Sequence, residues 1–195
     1  MLTFEILNAR PLLDYRKACK ITQGATAEVD FTPKDETSYW IKQIVANHST
    51  LRSIHFRMTA TAPKSVIMQI IRATKGHPQP FVQSSRPDWT GKERSSNPYE
   101  EKYFMQDHTA ESFVEMAKQR LCMCTEVRTR TFMWEAVKAL RTSKDPFLRA
   151  VGFCSLPACV WLGGKCPELH ACGMKPKLAD VLIQNYELSV KGEKK

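Results

Sequence analysis

Residues 53–74 constrain the fold more than any other stretch of the chain. Ile54, Phe56 and Met58 alternate with His55, Arg57 and Thr59. That is the period of a strand with one buried side and one wet or site-facing side. Pro63 follows, at a place that suits a first helical turn. Val66, Ile67, Ile70 and Ile71 then fall on one stripe, so the pattern predicts an amphipathic helix over 65–74. Strand and helix must therefore pack together here, and the rest of the chain has to supply layers that fit them.

The flanking segments do so. The stretch LTFEIL alternates like a half-buried strand, and a short helix is expected to start over 14–20. The Gly, Pro and Asp content of 24–36 predicts turn, brief strand and turn. Thr37 and Ser38 can cap a helix over 39–47 that turns Ile41, Ile44 and Val45 to one face. Residues 76–102 form a long polar loop. Beyond it, Asp107 or Thr109 can cap a helix carrying Phe113, Met116, Ala117 and Leu121 at helical spacing. Thr125 starts another, with Phe132, Ala136, Ala139 and Leu140 on a stripe, and Ser143 with Pro146 starts a short third. A last amphipathic helix is expected over 178–186. No internal repeat is visible. Strands and helices first, then helices, predict the α+β class. The composition changes after residue 150, which divides the chain into a main domain, 1–150, and a Cys/Gly/Pro-rich extension, 151–195.

The chain of 195 residues is long enough to bury a core without covalent staples. Its apolar runs are far too short to cross a bilayer, and the acid in MLTFEILNAR does not suit a signal peptide. The expectation is a cytoplasmic protein with no membrane partner. There are 29 basic and 20 acidic residues, a net +9, which favours an anionic partner: a nucleic acid, a nucleotide or a phosphate cofactor.

The loop after the 65–74 helix focuses that charge. IRATKGHPQPFVQSSRPDW holds Gly76, Pro78, Pro80 and Pro87 together with Arg72, Lys75, His77, Gln83, Ser84, Ser85 and Arg86. A stiffened loop at a helix end can offer backbone N–H groups and guanidinium forks to a phosphate. Each charge-assisted bond of that kind contributes about 1.5–3 kcal/mol. On composition alone, a solvated basic loop is the plainer reading. Trp89, Trp134 and Trp161 read as packing residues rather than base-stacking ones. Asp88 and Glu93 are too isolated to suggest an acid/base pair.

The order His48-Ser49-Thr50, the strand, Gln69-Ile70-Ile71-Arg72 and then Ser84-Ser85-Arg86 resembles flavin-dependent thymidylate synthases. Their hallmark is Q-x-x-R-H-R, an irregular stretch, and S-x-R. TAESFVEMAKQRL, ending at Arg120-Leu121, and the following TEVRTR resemble that family's later helices, so the similarity spans roughly 2–140 with gaps. The departures are Ala73 and Thr74 in place of the second and third motif residues, a longer interval to Arg86, Thr109 and Glu115 at two expected asparagines, and Arg52 at an expected acid.

The resemblance implies a small antiparallel sheet with packed helices and a homotetramer with sites between subunits. It implies FAD as cofactor, with methylenetetrahydrofolate and NADPH as co-substrates, and one-carbon transfer to C5 of a pyrimidine deoxynucleotide without a cysteine nucleophile. Ser84, Ser85 and Arg86 would bind the nucleotide phosphate and orient the substrate. Gln69 would reach the nucleotide from a neighbouring subunit. Arg120 would face the pyrimidine, and Arg120 and Ser84 would carry the catalytic role. His48, Thr50 and Arg72 would lie along the flavin, and His77 could replace the lost motif histidine or be an exposed loop residue. The departures leave room for a second product class, hydroxymethylation of dUMP or dCMP. A nucleic acid is not required by this reading.

The chain has seven cysteines. Cys154, Cys159, Cys166 and Cys172 follow one another in a Gly/Pro-rich segment with His170 between the last two. They could close a tetrahedral zinc site, stay as separate buried thiols, or form a redox pair. Cys122 and Cys124 point in different directions if helical, and read as core and surface. A zinc-stabilised nucleic-acid-binding protein is the rival from another class.

Overall fold

The structure, a computed structural model, describes residues 2–26, 28–29, 34–74 and 79–173. It is a mixed α/β arrangement: one four-stranded antiparallel sheet with helices packed on it. The strands are β1 (Leu2–Ile6), β2 (Phe56–Pro63), β3 (Pro80–Val82) and β4 (Glu101–His108), in the order β1-β2-β4-β3. The register places Leu2, Phe4 and Ile6 opposite Ala60, Met58 and Phe56, and these last two opposite Gln106 and His108. One face thus becomes continuous across three strands, and β2 buries Phe56, Met58, Ala60 and Ala62 on it.

Eight helices are described: α1 (Pro11–Thr22), α2 (Thr37–Ala46), α3 (Lys64–Ala73), α4 (Pro87–Thr90), α5 (Ala110–Arg120), α6 (Val127–Arg141), α7 (Pro146–Cys154) and α8 (Ala158–Trp161). The core runs from the sheet through Phe113 and Phe147 to Trp40 and Tyr15, whose rings meet mostly edge to face. Gly152 lets α7 approach α6. A Cβ there would stand 2.7 Å from the Arg141 backbone nitrogen.

Several expectations shift. Residues 49–53 form a 3-10 turn, so the strand starts at Phe56 and runs on to Pro63, which caps α3 rather than entering it. Thr37 lies inside α2, and Glu36 takes the cap position. On α6 the buried stripe is Met133, Ala136, Val137 and Leu140, with Phe132 and Ala139 at its margin. No strand occurs among the described residues of 24–36. The compositional break at 150 falls inside α7, where Val151, Gly152 and Cys154 are buried in the main core. The terminal helix expected over 178–186 lies outside the described residues, as does His77.

The central strand β4 went unread because its inward face is Lys102, Phe104, Gln106 and His108, all buried. Three of those four are polar, so the hydrophobic alternation that betrays a strand is hidden.

Candidate functional site

The inward stripe of α3 — Val66, Ile67, Ile70 and Ala73 — turns Arg72 outward on its last turn, where it is exposed. Helix α5 is fixed at its start by a reciprocal cap. Thr109 Oγ1 accepts from Ser112 N at 3.2 Å, and Ser112 Oγ accepts from Thr109 N at 3.0 Å. Burial of Phe113, Val114, Met116 and Ala117 then sets the rotation of α5, which leaves Arg120 half-buried at its end.

Arg120 and Arg72 lie within reach of each other's charge. The Arg120 pKa is depressed below the ordinary guanidinium value, first by burial and then by Arg72. Its Nε is buried with no hydrogen-bond partner among the described residues. Both cations end helices, whose carbonyl ends favour positive charge by about 0.3–1 kcal/mol. That offsets part of the repulsion and leaves an unfilled N–H. An anion would satisfy it.

The serine pair lines a different cleft of about 430 Å3, with Gln83, Lys92, Glu100 and Lys102 on its walls. That volume suits a mononucleotide. Ser84 Oγ accepts from Arg86 N at 3.1 Å and so shapes the turn into α4. Arg86 itself is engaged: its Nε donates to Asp88 Oδ1 at 3.1 Å, a second bond joins Nη2 to Oδ2, and the guanidinium lies over Trp89 at 4.8 Å. Trp89 lines the cleft and is 72% exposed, so it is not a packing residue. Trp134 and Trp161 are half-buried.

The cleft lies at the start of α3. Lys64 N donates to Glu100 O and Ser65 N to Pro98 O, both at 2.9 Å. Arg72 is eight residues further along the helix, about 12 Å at 1.5 Å per residue. Neither Arg72 nor Arg86 lines that cleft. Gln69 is half-buried between the two ends.

Of the residues expected along a flavin, His48 is exposed at the head of the 3-10 turn. Thr50 is buried, and its Oγ1 accepts from Cys19 Sγ at 3.5 Å, so its hydroxyl is taken up by the core. Ala73 is buried, and Thr74 Oγ1 turns back to donate to Ile70 O at 2.9 Å.

Two buried polar residues, one on the cleft wall and one in the core, were not legible in the sequence. Lys102 is 6% exposed, held by Glu100 at 2.7 Å on the cleft wall. His108 is buried between Phe56 and Phe113, and its Nε2 has no hydrogen-bond partner among the described residues. Burial pushes its pKa down to about 3.

The thiols divide. Cys154 is in the main core beside Arg141, and burial drives its pKa up to about 12. Cys122, Cys159, Cys166 and Cys172 line one small pocket elsewhere.

No helix among the described residues is long and apolar enough to cross a membrane. No family model matches the chain, and no curated protein shows significant similarity to it.

Proposed function

We propose that the chain binds a pyrimidine deoxynucleotide and catalyses flavin-dependent one-carbon transfer to its C5, of the dUMP-to-dTMP type, with methylenetetrahydrofolate as donor and NADPH as reductant. The observation that carries the anion-binding part is Arg120 beside Arg72, with a buried Nε and no counter-ion among the described residues. The pyrimidine and the reaction type rest on the motif resemblance.

That the serine cleft is lined by neither Arg72 nor Arg120 supports a site completed by a second copy of the chain. Ser84, Ser85 and Arg86 would hold the phosphate from one subunit once Arg86 leaves Asp88. Gln69 and Arg120 would reach the base from another. Bound FAD would supply the hydride. Arg72 and His48, both exposed, would meet its anionic and polar groups, whereas Thr50 is buried against Cys19 and does not fit that role. Arg120 would stabilise negative charge developing on a pyrimidine carbonyl, a contribution of roughly 3–4 kcal/mol for a fixed donor.

The test is flavin content of the purified chain, followed by calorimetry with dUMP and dCMP. A yellow protein that binds one of them supports the proposal, and product mass distinguishes methyl from hydroxymethyl transfer. A colourless chain that takes up no added FAD and binds neither nucleotide removes it. If its affinity for DNA then falls steeply with salt, a nucleic-acid binder takes its place.

A further inference from the structure

We propose that Cys122, Cys159, Cys166 and Cys172 form a structural zinc site that fastens residues 162–173 to the end of α5. The four thiols line one pocket of about 20 Å3, walled otherwise by Leu121, Pro157 and Ala158 and a few neighbours. That room suits a single ion rather than an organic ligand. They are close enough that Cys159 is influenced by Cys122, Cys166 and Cys172, after the larger effect of burial.

Two further observations point the same way. Gly163, Gly164 and Gly173 all adopt positive φ. At Gly163 and Gly164 this closes a turn after Cys159, with Gly164 N donating to Cys159 O at 2.7 Å, and it brings Cys166 onto the same pocket. Secondly, residues 162–173 contain no buried side chain, and Leu169 is 99% exposed. Ordering each backbone residue costs about 1–2 kcal/mol. Apolar burial does not offset that here, but four metal–thiolate bonds would.

As they stand, no three His, Cys, Asp or Glu side chains among the described residues are grouped to hold an ion. Binding would draw the thiols to metal–sulfur distances of about 2.3 Å, each releasing its proton. Cys154 takes no part. Cys124 is exposed, with its thiol toward His170 O at 3.9 Å and also beside Cys122, at the rim of the set rather than on the pocket wall.

The full chain, purified reduced and without chelator, is expected to carry about one zinc per molecule. Cobalt(II) exchanged into it should give the visible bands of a tetrahedral thiolate site. Cys122→Ser and Cys159→Ser should each weaken metal affinity at least tenfold, while Cys154→Ala keeps it. A metal-free wild-type chain that gives no cobalt–thiolate bands overturns the proposal, whatever the variants do. So does a freshly prepared chain with these thiols paired as disulfides and no metal, or retention of metal in Cys122→Ser alongside loss in Cys154→Ala.

Discussion

Arg57 and Arg120 carry the same charge in opposite settings. Arg57 lies on the outer face of the sheet, where its Nε and Nη2 donate to Asp107 Oδ1 and Oδ2 at 2.7 and 2.8 Å. Arg120 is half-buried beside a second cation, with an unfilled N–H. His108, next to Asp107 in sequence but on the inner face, is a third case: burial pushes its pKa down to about 3, which favours the neutral ring. The fold thus deals with positive charge by pairing it, by removing its proton, or by leaving it uncompensated. The last has no counter-charge inside the subunit among the described residues, and it is this that supports the anion-binding proposal at Arg120.

The comparison breaks most decisively at Arg120. Arg120→Met keeps the stem that packs and removes the charge. Nucleotide affinity measured by calorimetry should fall about 10- to 100-fold, as loss of a charge-assisted bond predicts. Thermal stability without ligand should hold or rise, and the stabilisation by a fixed excess of dUMP should shrink by the matching amount, about 1.4–2.8 kcal/mol. A drop in unliganded stability with affinity intact would make Arg120 a structural residue.

Arg86→Ala and Arg120→Met mixed as subunits sharpen the assembly question. Each alone should be inactive. After mixing and reassembly, some sites combine an intact Ser84–Arg86 turn with an intact Arg120, and up to about a quarter of the activity should return if two copies share a site. No recovery in a mixture shown to exchange subunits would place the whole site within one chain.

These distinctions were only partly legible in the sequence. Ile54–Phe56–Met58 and the α3 stripe announce themselves because apolar side chains fill their inward face. The Thr109 cap was likewise readable, since a hydroxyl before an apolar-periodic run has few other uses. Lys102, Gln106 and His108 defeated the same logic: β4 is central in the sheet yet polar inside, and its identity depends on Glu100, Ser112 and β2, which are not its sequence neighbours. Arg72 and Arg86 read as one loop cluster in sequence, but neither lines the cleft that Ser84 and Ser85 open onto, and Arg86 is engaged by Asp88. Cys122 was invisible as a partner of Cys159 for the converse reason, since only the packing of α5 near α8 brings them together.

His108 provides a prediction of intermediate size. Its folded pKa is far below the ordinary 6.5, so below pH 6.5 the unfolded chain binds a proton that the folded chain refuses. Stability therefore falls as pH falls, over the window from about 6.5 down toward 3. Between pH 8 and pH 5 the loss from this residue is about 2 kcal/mol. His108→Gln should flatten that part of the profile in urea unfolding, even though the variant is less stable throughout. The depressed carboxylates Asp107, Glu111 and Glu126 act in the same direction but lower: their contribution is present above the ordinary carboxylate range and is lost as pH falls below it. An unchanged slope between pH 8 and 5 in the variant would mean that His108 is not held neutral.

The smallest effect belongs to the paired cations. Arg52 donates to Glu111 Oε2 at 2.6 Å and Oε1 at 3.1 Å, across the start of α5, from a largely exposed position. Water solvates both ions nearly as well as they solvate each other, and salt screens what remains. Arg52→Gln should leave the melting temperature and nucleotide affinity within error of the wild type, at low salt and high. That matters because Arg52 stands where the resembled family has an acid near its binding residues. If Arg52→Gln lowered nucleotide affinity as Arg120→Met does, pairing would no longer separate structural from ligand-seeking arginines, and the assignment of Arg120 would lose its physical basis.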